Sequence, residues 1–139
     1  MSTSDRLPLA LLLLRLGVFV VMFFWAVDKL VQPEHAAQVF EHFYLMPGLG
    51  ETALAVIGVV QLAVVFTFVA GIWKTWTYGA VLVMHAISTF SSWRQYLEPF
   101  DNLLFFAAWP MLAACVALFL LRDQDRLFSL GGGSPGGAA

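Results

Sequence analysis

Charge is scarce in this sequence: 12% of its 139 residues are Asp, Glu, Lys or Arg, against about 25% in ordinary soluble domains. Set beside a hydrophobic content of 60%, that shortage excludes a water-soluble fold, because a chain of this size has too little interior to hide so much apolar side chain. Basic residues are few as well. Seven Lys and Arg against nine Asp and Glu give a net charge of -2, so there is no broad basic surface for nucleic acid. Cysteine is almost missing: Cys115 stands alone inside an apolar run, which excludes an intrachain disulfide and Cys-x-x-Cys chemistry. A single cysteine in such a run reads as a small hydrophobe. No cleavable leader is expected either. Arg6 precedes an apolar run, but Arg15 interrupts that run and no small-residue cleavage site follows, so the first stretch reads as a retained helix.

What the chain does hold is long apolar sequence rich in aromatics, with 13 Phe and 5 Trp, a composition suited to lipid-facing walls and interfacial belts. Residues 7–30, 51–71, 75–93 and 102–121 form four apolar stretches, each close to the roughly 20 residues that cross a hydrocarbon core of about 30 Å. Lipid offers the backbone no hydrogen-bond partner, so each stretch must be helical. Ser4 and Asp5 before Pro8 make a helix start, and Pro99 followed by Asp101 and Asn102 makes another. The link Gly71-Ile72-Trp73-Lys74 is tight, which makes the second and third stretches antiparallel neighbours. The first connection is longer, and within 33–44 the residues Ala36, Val39, Phe40 and Phe43 share one helical face. Glu34, His35, Gln38, Glu41 and His42 fall mostly elsewhere, the pattern of a short amphipathic helix lying at an interface.

The expected architecture is therefore all-α, a four-transmembrane-helix bundle with a short amphipathic interfacial helix between helices 1 and 2. Residues 1–130 form one transmembrane domain, and 131–139 form a flexible Gly-rich tail. Orientation follows from the basic residues. Arg6, Lys74, Arg122 and Arg126 gather on the side of the termini and only Lys29 and Arg94 on the other, so both termini are expected in the cytoplasm.

Two sets of polar residues are candidates for function. Arg15 lies about 12 Å into the first stretch at 1.5 Å per residue, where a cation costs at least a few kcal/mol, so it should face the bundle interior or snorkel to the headgroups. Gln61, His85 and Trp109 fall at a comparable depth in the other three stretches. Pro110 lacks an N–H, so the carbonyl of Phe106 is expected to be free, and a connected midplane layer follows. Such a layer either glues the helices together or binds a ligand such as a quinone headgroup, with Arg15 and His85 as donors. The second set, Asp28, Lys29, His35, Glu41 and His42, surrounds the first outer loop. It reads as a solvated face that suits partner docking; His35 and His42 lack the i, i+4 spacing of a tight metal pair, so no metal is assigned.

Certain short runs resemble the DoxX-like family of small four-helix membrane proteins. Leu14-Arg15-Leu16-Gly17 through Trp25-Ala26-Val27-Asp28-Lys29-Leu30 is similar to that family's Arg-Leu-Gly opening and Lys-Leu ending. Gln61 through Gly71-Ile72-Trp73-Lys74-Thr75 resembles its second helix and following turn, and Asp125-Arg126-Leu127-Phe128-Ser129-Leu130 its closing Gly-Arg-x-Ser-Leu. The likeness spans residues 11–130, with departures at Gln61, where many members carry Glu, and at Asp28, where a small residue is common. The resemblance implies association with redox systems, since relatives include the membrane subunit of a thiosulfate:quinone oxidoreductase, and a place in a bacterial cytoplasmic (inner) membrane. It supports a fold better than a reaction.

The expected function is a membrane subunit that docks an extracytoplasmic redox partner and contacts quinone in the bundle. It would not be a self-contained enzyme, because the chain has no recognisable flavin, nicotinamide or iron–sulfur motif. A non-catalytic anchor or assembly subunit of a larger membrane complex remains open beside it. A small proton-coupled transporter is a further alternative, weakened because such proteins need a carboxylate in the first helix where this chain has Arg15. Membrane lipid and protein subunits are the expected partners.

Overall fold

Apolar side chains at every turn carry the first helix, α1 (Thr3–Val31), for 29 residues. Its start is fixed by Asp5, whose carboxylate accepts from the Ser2 hydroxyl at 2.9 Å and from the Ser2 backbone N–H at 3.4 Å, so that an otherwise orphaned donor is satisfied. In the computed structural model, which describes residues 2–131, the chain continues as α2 (Pro33–Phe43), α3 (Glu51–Val69), α4 (Lys74–Ser91), a short α5 (Trp93–Tyr96) and α6 (Ala108–Leu120). Single 3-10 turns occupy Pro99–Asp101, Leu103–Ala107 and Arg122–Gln124, and no strand occurs among the described residues. Of the expected Gly-rich tail, 132–139 lie outside the described residues.

Three segments are long and apolar enough to cross a membrane: Thr3–Val31, Glu51–Val69, and Leu103–Leu120, which joins a 3-10 turn to α6. The chain is thus built as an integral membrane protein, all-helical where described. α4 is 18 residues long, yet it falls short of the other three in apolarity because Lys74, Thr77, Tyr78, His85 and Thr89 lie on its buried side. Polarity turned inward lowers the mean hydropathy of a helix without putting that polarity against its surroundings.

Packing closes the helices into a ring. α1 lies against α3, α3 against α4, α4 against α6, and α6 against α1, while α2 packs on α1 and α3. The buried positions of α1 are Pro8, Leu11, Arg15, Val18, Ala26 and Lys29, a stripe at intervals of three and four that makes one seam. The core draws Leu11 and Val18 from α1, Phe68 from α3, Tyr78 and Val81 from α4, and Cys115 and Leu118 from α6. α1 and α3 approach closely at Gly58, where a Cβ would stand 3.1 Å from the Ala26 carbonyl and 3.2 Å from Lys29 Cβ. The α3–α4 turn needs left-handed backbone at Gly71 (φ +73°) and Trp73 (φ +48°), a conformation glycine adopts without a steric penalty.

On α2 the faces fall as the periodicity predicts. Ala36 is buried, Val39, Phe40 and Phe43 are half-buried, and Glu34, His35, Gln38, Glu41 and His42 are exposed.

Candidate functional site

Arg15 sits on the α1 seam between Leu11 and Val18, with 1% of its surface exposed. A guanidinium carries five donors and never gives up its charge, so in an apolar core it must be met by acceptors. Asp125 supplies the charge, its Oδ1 lying 2.8 Å from Arg15 Nη1. Arg15 Nη2 donates to the backbone carbonyls of Leu127 at 2.5 Å and Phe128 at 3.1 Å. The second carboxylate oxygen of Asp125 accepts from the Tyr78 hydroxyl at 2.5 Å, and that hydroxyl in turn lies 3.4 Å from Arg15 Nη1. Lys74, 2% exposed, donates to the backbone carbonyl of Asp125 at 2.5 Å. Two cations and one carboxylate are thus desolvated together, with Arg15 Nε left without a partner.

The local fold that delivers Asp125 is a reversal after α6. Leu121 ends the helix, the turn Arg122–Gln124 follows, and Gln124 N–H donates to the Leu121 carbonyl at 2.8 Å. Arg122 holds that turn by donating to Thr75 Oγ1 at 3.2 Å while its guanidinium lies 4.4 Å from the Phe119 ring centroid. The chain then crosses to the α3–α4 turn, where Leu130 N–H donates to the Ala70 carbonyl at 2.8 Å and Ser129 Oγ to the Gly71 carbonyl at 3.4 Å. Any side chain at position 71 would collide with Ser129.

No hydrogen bond joins any two of the four residues of the expected midplane layer. Arg15 faces the interior, but its partners are Asp125, Tyr78 and two carbonyls and not Gln61 or His85. Gln61 reaches only Met84 Sδ, at 3.9 Å. His85 Nε2 lies 3.0 Å from the Ala108 carbonyl, and the His85 carbonyl accepts from Thr89 Oγ1 at 2.8 Å. Trp109 is 40% exposed and packs against Phe90 and Tyr96. Pro110 is the third residue of α6, which continues directly from the 3-10 turn Leu103–Ala107, and it offers no N–H to the carbonyl of Phe106.

The second candidate set splits. Asp28 and His35 pair at 2.7 Å, with the His35 ring stacked on Trp25. Lys29 is 7% exposed and turns inward, donating to the Trp25 carbonyl at 3.0 Å with its ammonium 5.8 Å from the Phe40 ring centroid. Glu41 and His42 line an open groove of about 420 Å³ with Gln38, Leu45 and Arg94. His35 and Gln38 border a neighbouring groove of about 470 Å³ at the start of α2. The far end of α2 is tied to α4 by Tyr44 and Ser88, whose hydroxyls are 2.6 Å apart.

No family model, curated protein or solved structure matches this chain.

Tyr78, Lys74 and Asp125 are the members of the buried cluster that were not singled out from sequence. The signal lay in Arg15 itself, since a cation on a helix seam requires an anion, and Asp125 follows the helix that ends at the same level. Chemically the cluster is a clamp. Its carboxylate is shared between a guanidinium and a phenol and its cations are bonded, which favours holding elements in place over turning over a substrate.

Proposed function

We propose that this chain is a four-crossing subunit of a larger membrane complex, with both termini on the cytoplasmic side and α2 along the extracytoplasmic surface, where it docks a redox partner. The observation that carries the reading is the contrast between closed polar groups within the bundle and open polar grooves beside α2. A fourth crossing by α4 is supported by its length and by polar residues that turn inward. An interfacial position for α2 is supported by its one-sided burial. The redox character of the partner, and a bacterial inner membrane as the location, rest on the resemblance of the Arg15, Lys74 and 125–130 runs to the DoxX-like family. Quinone contact by Arg15, Gln61, His85 and Trp109 has weaker support, because Arg15 and His85 would first have to leave the partners they hold.

An anchor subunit that docks no redox enzyme is the second reading, favoured by that same closure of the interior. Purification in mild detergent decides between them. A co-purifying protein with a redox centre, lost on Glu41→Ala together with His42→Ala while the chain stays folded, supports docking at α2. A colourless assembly that survives those changes supports the anchor. Orientation is tested in a Cys115→Ala background, where cysteines placed at Gln38 and Gln124 should react with impermeant reagent from opposite sides.

A further inference from the structure

Segment 125–130 has an unusual way of holding on. Its large apolar side chains point away from the bundle, with Phe128 84% and Leu130 79% exposed. Its attachments are polar: the Asp125 carboxylate and carbonyl, the Leu127 and Phe128 carbonyls, the Ser129 hydroxyl and the Leu130 N–H. Phe128 also takes a left-handed backbone conformation, φ +49°, which a bulky residue adopts only when its surroundings enforce it. Three of these six attachments converge on one residue, Arg15, and the others go to Lys74, Gly71 and Ala70. In turn, Arg15 meets no other carboxylate among the described residues, and the carbonyls it binds lie 112 and 113 residues later in the chain.

Each side of this contact therefore needs the other. Without the segment, Arg15 and Lys74 are cations in an apolar core with no anion, an arrangement that costs several kcal/mol. Without Arg15, the segment loses its charge partner and two carbonyl contacts, and apolar burial does not replace them. We propose that residues 125–130 form a built-in strap whose docking on Arg15 closes this end of the bundle, so that strap release and opening of the α1–α4–α6 core are one event. The strap joins α1 to the α3–α4 turn, and the core beneath it includes Leu11, Tyr78, Leu118 and Cys115. Assembly of the bundle is then gated by a segment outside the helices.

Cys115, 2% exposed and the single cysteine, reports opening without any introduced probe. The full chain in mild detergent is treated with a maleimide, and labelling is compared in Asp125→Leu, Arg15→Met and the double variant. Arg15→Met takes the guanidinium from the buried carboxylate, and Asp125→Leu leaves Arg15 and Lys74 without an anion, so either single change should speed up labelling by at least about tenfold. The double variant relieves the stranded guanidinium but leaves the segment without Arg15 and Lys74 without an anion, so it should label more slowly than either single and faster than the wild type. Single variants that label at the wild-type rate, a double variant protected like the wild type, or a double variant as fast as the product of the two single effects, would overturn the strap. A chain ended after Gln124 should label fast, and slower once Arg15→Met is added; protection of Cys115 equal to the full chain in that truncated form counts against the proposal. Phe128→Ser should leave labelling unchanged, and acceleration there would mean that apolar contact holds the segment.

Discussion

At one end of the bundle Arg15, Lys74 and Asp125 are at most 2% exposed and bonded across α1, α4 and the segment after α6. At the other end the charged residues outnumber them, yet Asp28 and His35 form a partly wet pair and Glu41 and His42 line an open groove. Lys29 alone is drawn inside there, and it is satisfied by its own helix. The difference teaches that burial of charge here depends on spare chain. Where a segment can turn back and bring a carboxylate and carbonyls, a cation becomes part of the core. Where the connection is a helix with one apolar face, the charges stay outside and are free to meet something else.

The comparison breaks most sharply at Asp125. Asp125→Leu alone should cost about 3–5 kcal/mol, as expected when one member of a buried pair is removed, while the double variant with Arg15→Met should recover part of it, Lys74 still being without an anion. Thermal unfolding in detergent reads both, and a single-variant loss below about 1 kcal/mol would show that the cluster is solvated. Next in size is Gly58→Leu. Its side chain has no room between Ala26 and Lys29, and overpacking of that kind costs about 1–3 kcal/mol, visible as a lower unfolding temperature. Tyr78→Phe follows, removing a hydroxyl that donates to Asp125 at 2.5 Å, for a loss of about 1–3 kcal/mol, the range for a hydrogen bond to a charged group and for a buried acceptor left unsatisfied. The smallest effect belongs to the wet end. Asp28→Asn should change stability by no more than about 1 kcal/mol, since His35 is 49% exposed and exposed ion pairs contribute little. A larger loss there would mean that the two ends are built alike.

Much of the helical layout was legible because it follows from local physics. The positions of α1, α3 and α4, and the faces of α2, come from apolar length and a 3.6-residue period that need no knowledge of neighbours. Arg15 could be turned inward on the cost of a cation in lipid alone, and 1% exposure is where the structure puts it. The expected partners, Gln61 and His85, were chosen by depth along each helix. Depth does not fix rotation, and it gives no weight to chain outside the helices. Asp125 was missed for that reason: it follows a 3-10 turn after α6, and nothing local to it announces a buried site.

By itself the sequence determined that the chain is helical, membrane-embedded and seamed, because those properties are sums over neighbouring residues: hydropathy, period and the absence of any partner for backbone in lipid. Only the tertiary structure decided which acceptors meet Arg15, that Lys29 and Lys74 are core residues, and that His85 is engaged by Ala108. Those outcomes rest on residues far apart in sequence arriving within hydrogen-bond distance, and a bond that short depends on helix rotation and on the path of a reversing segment.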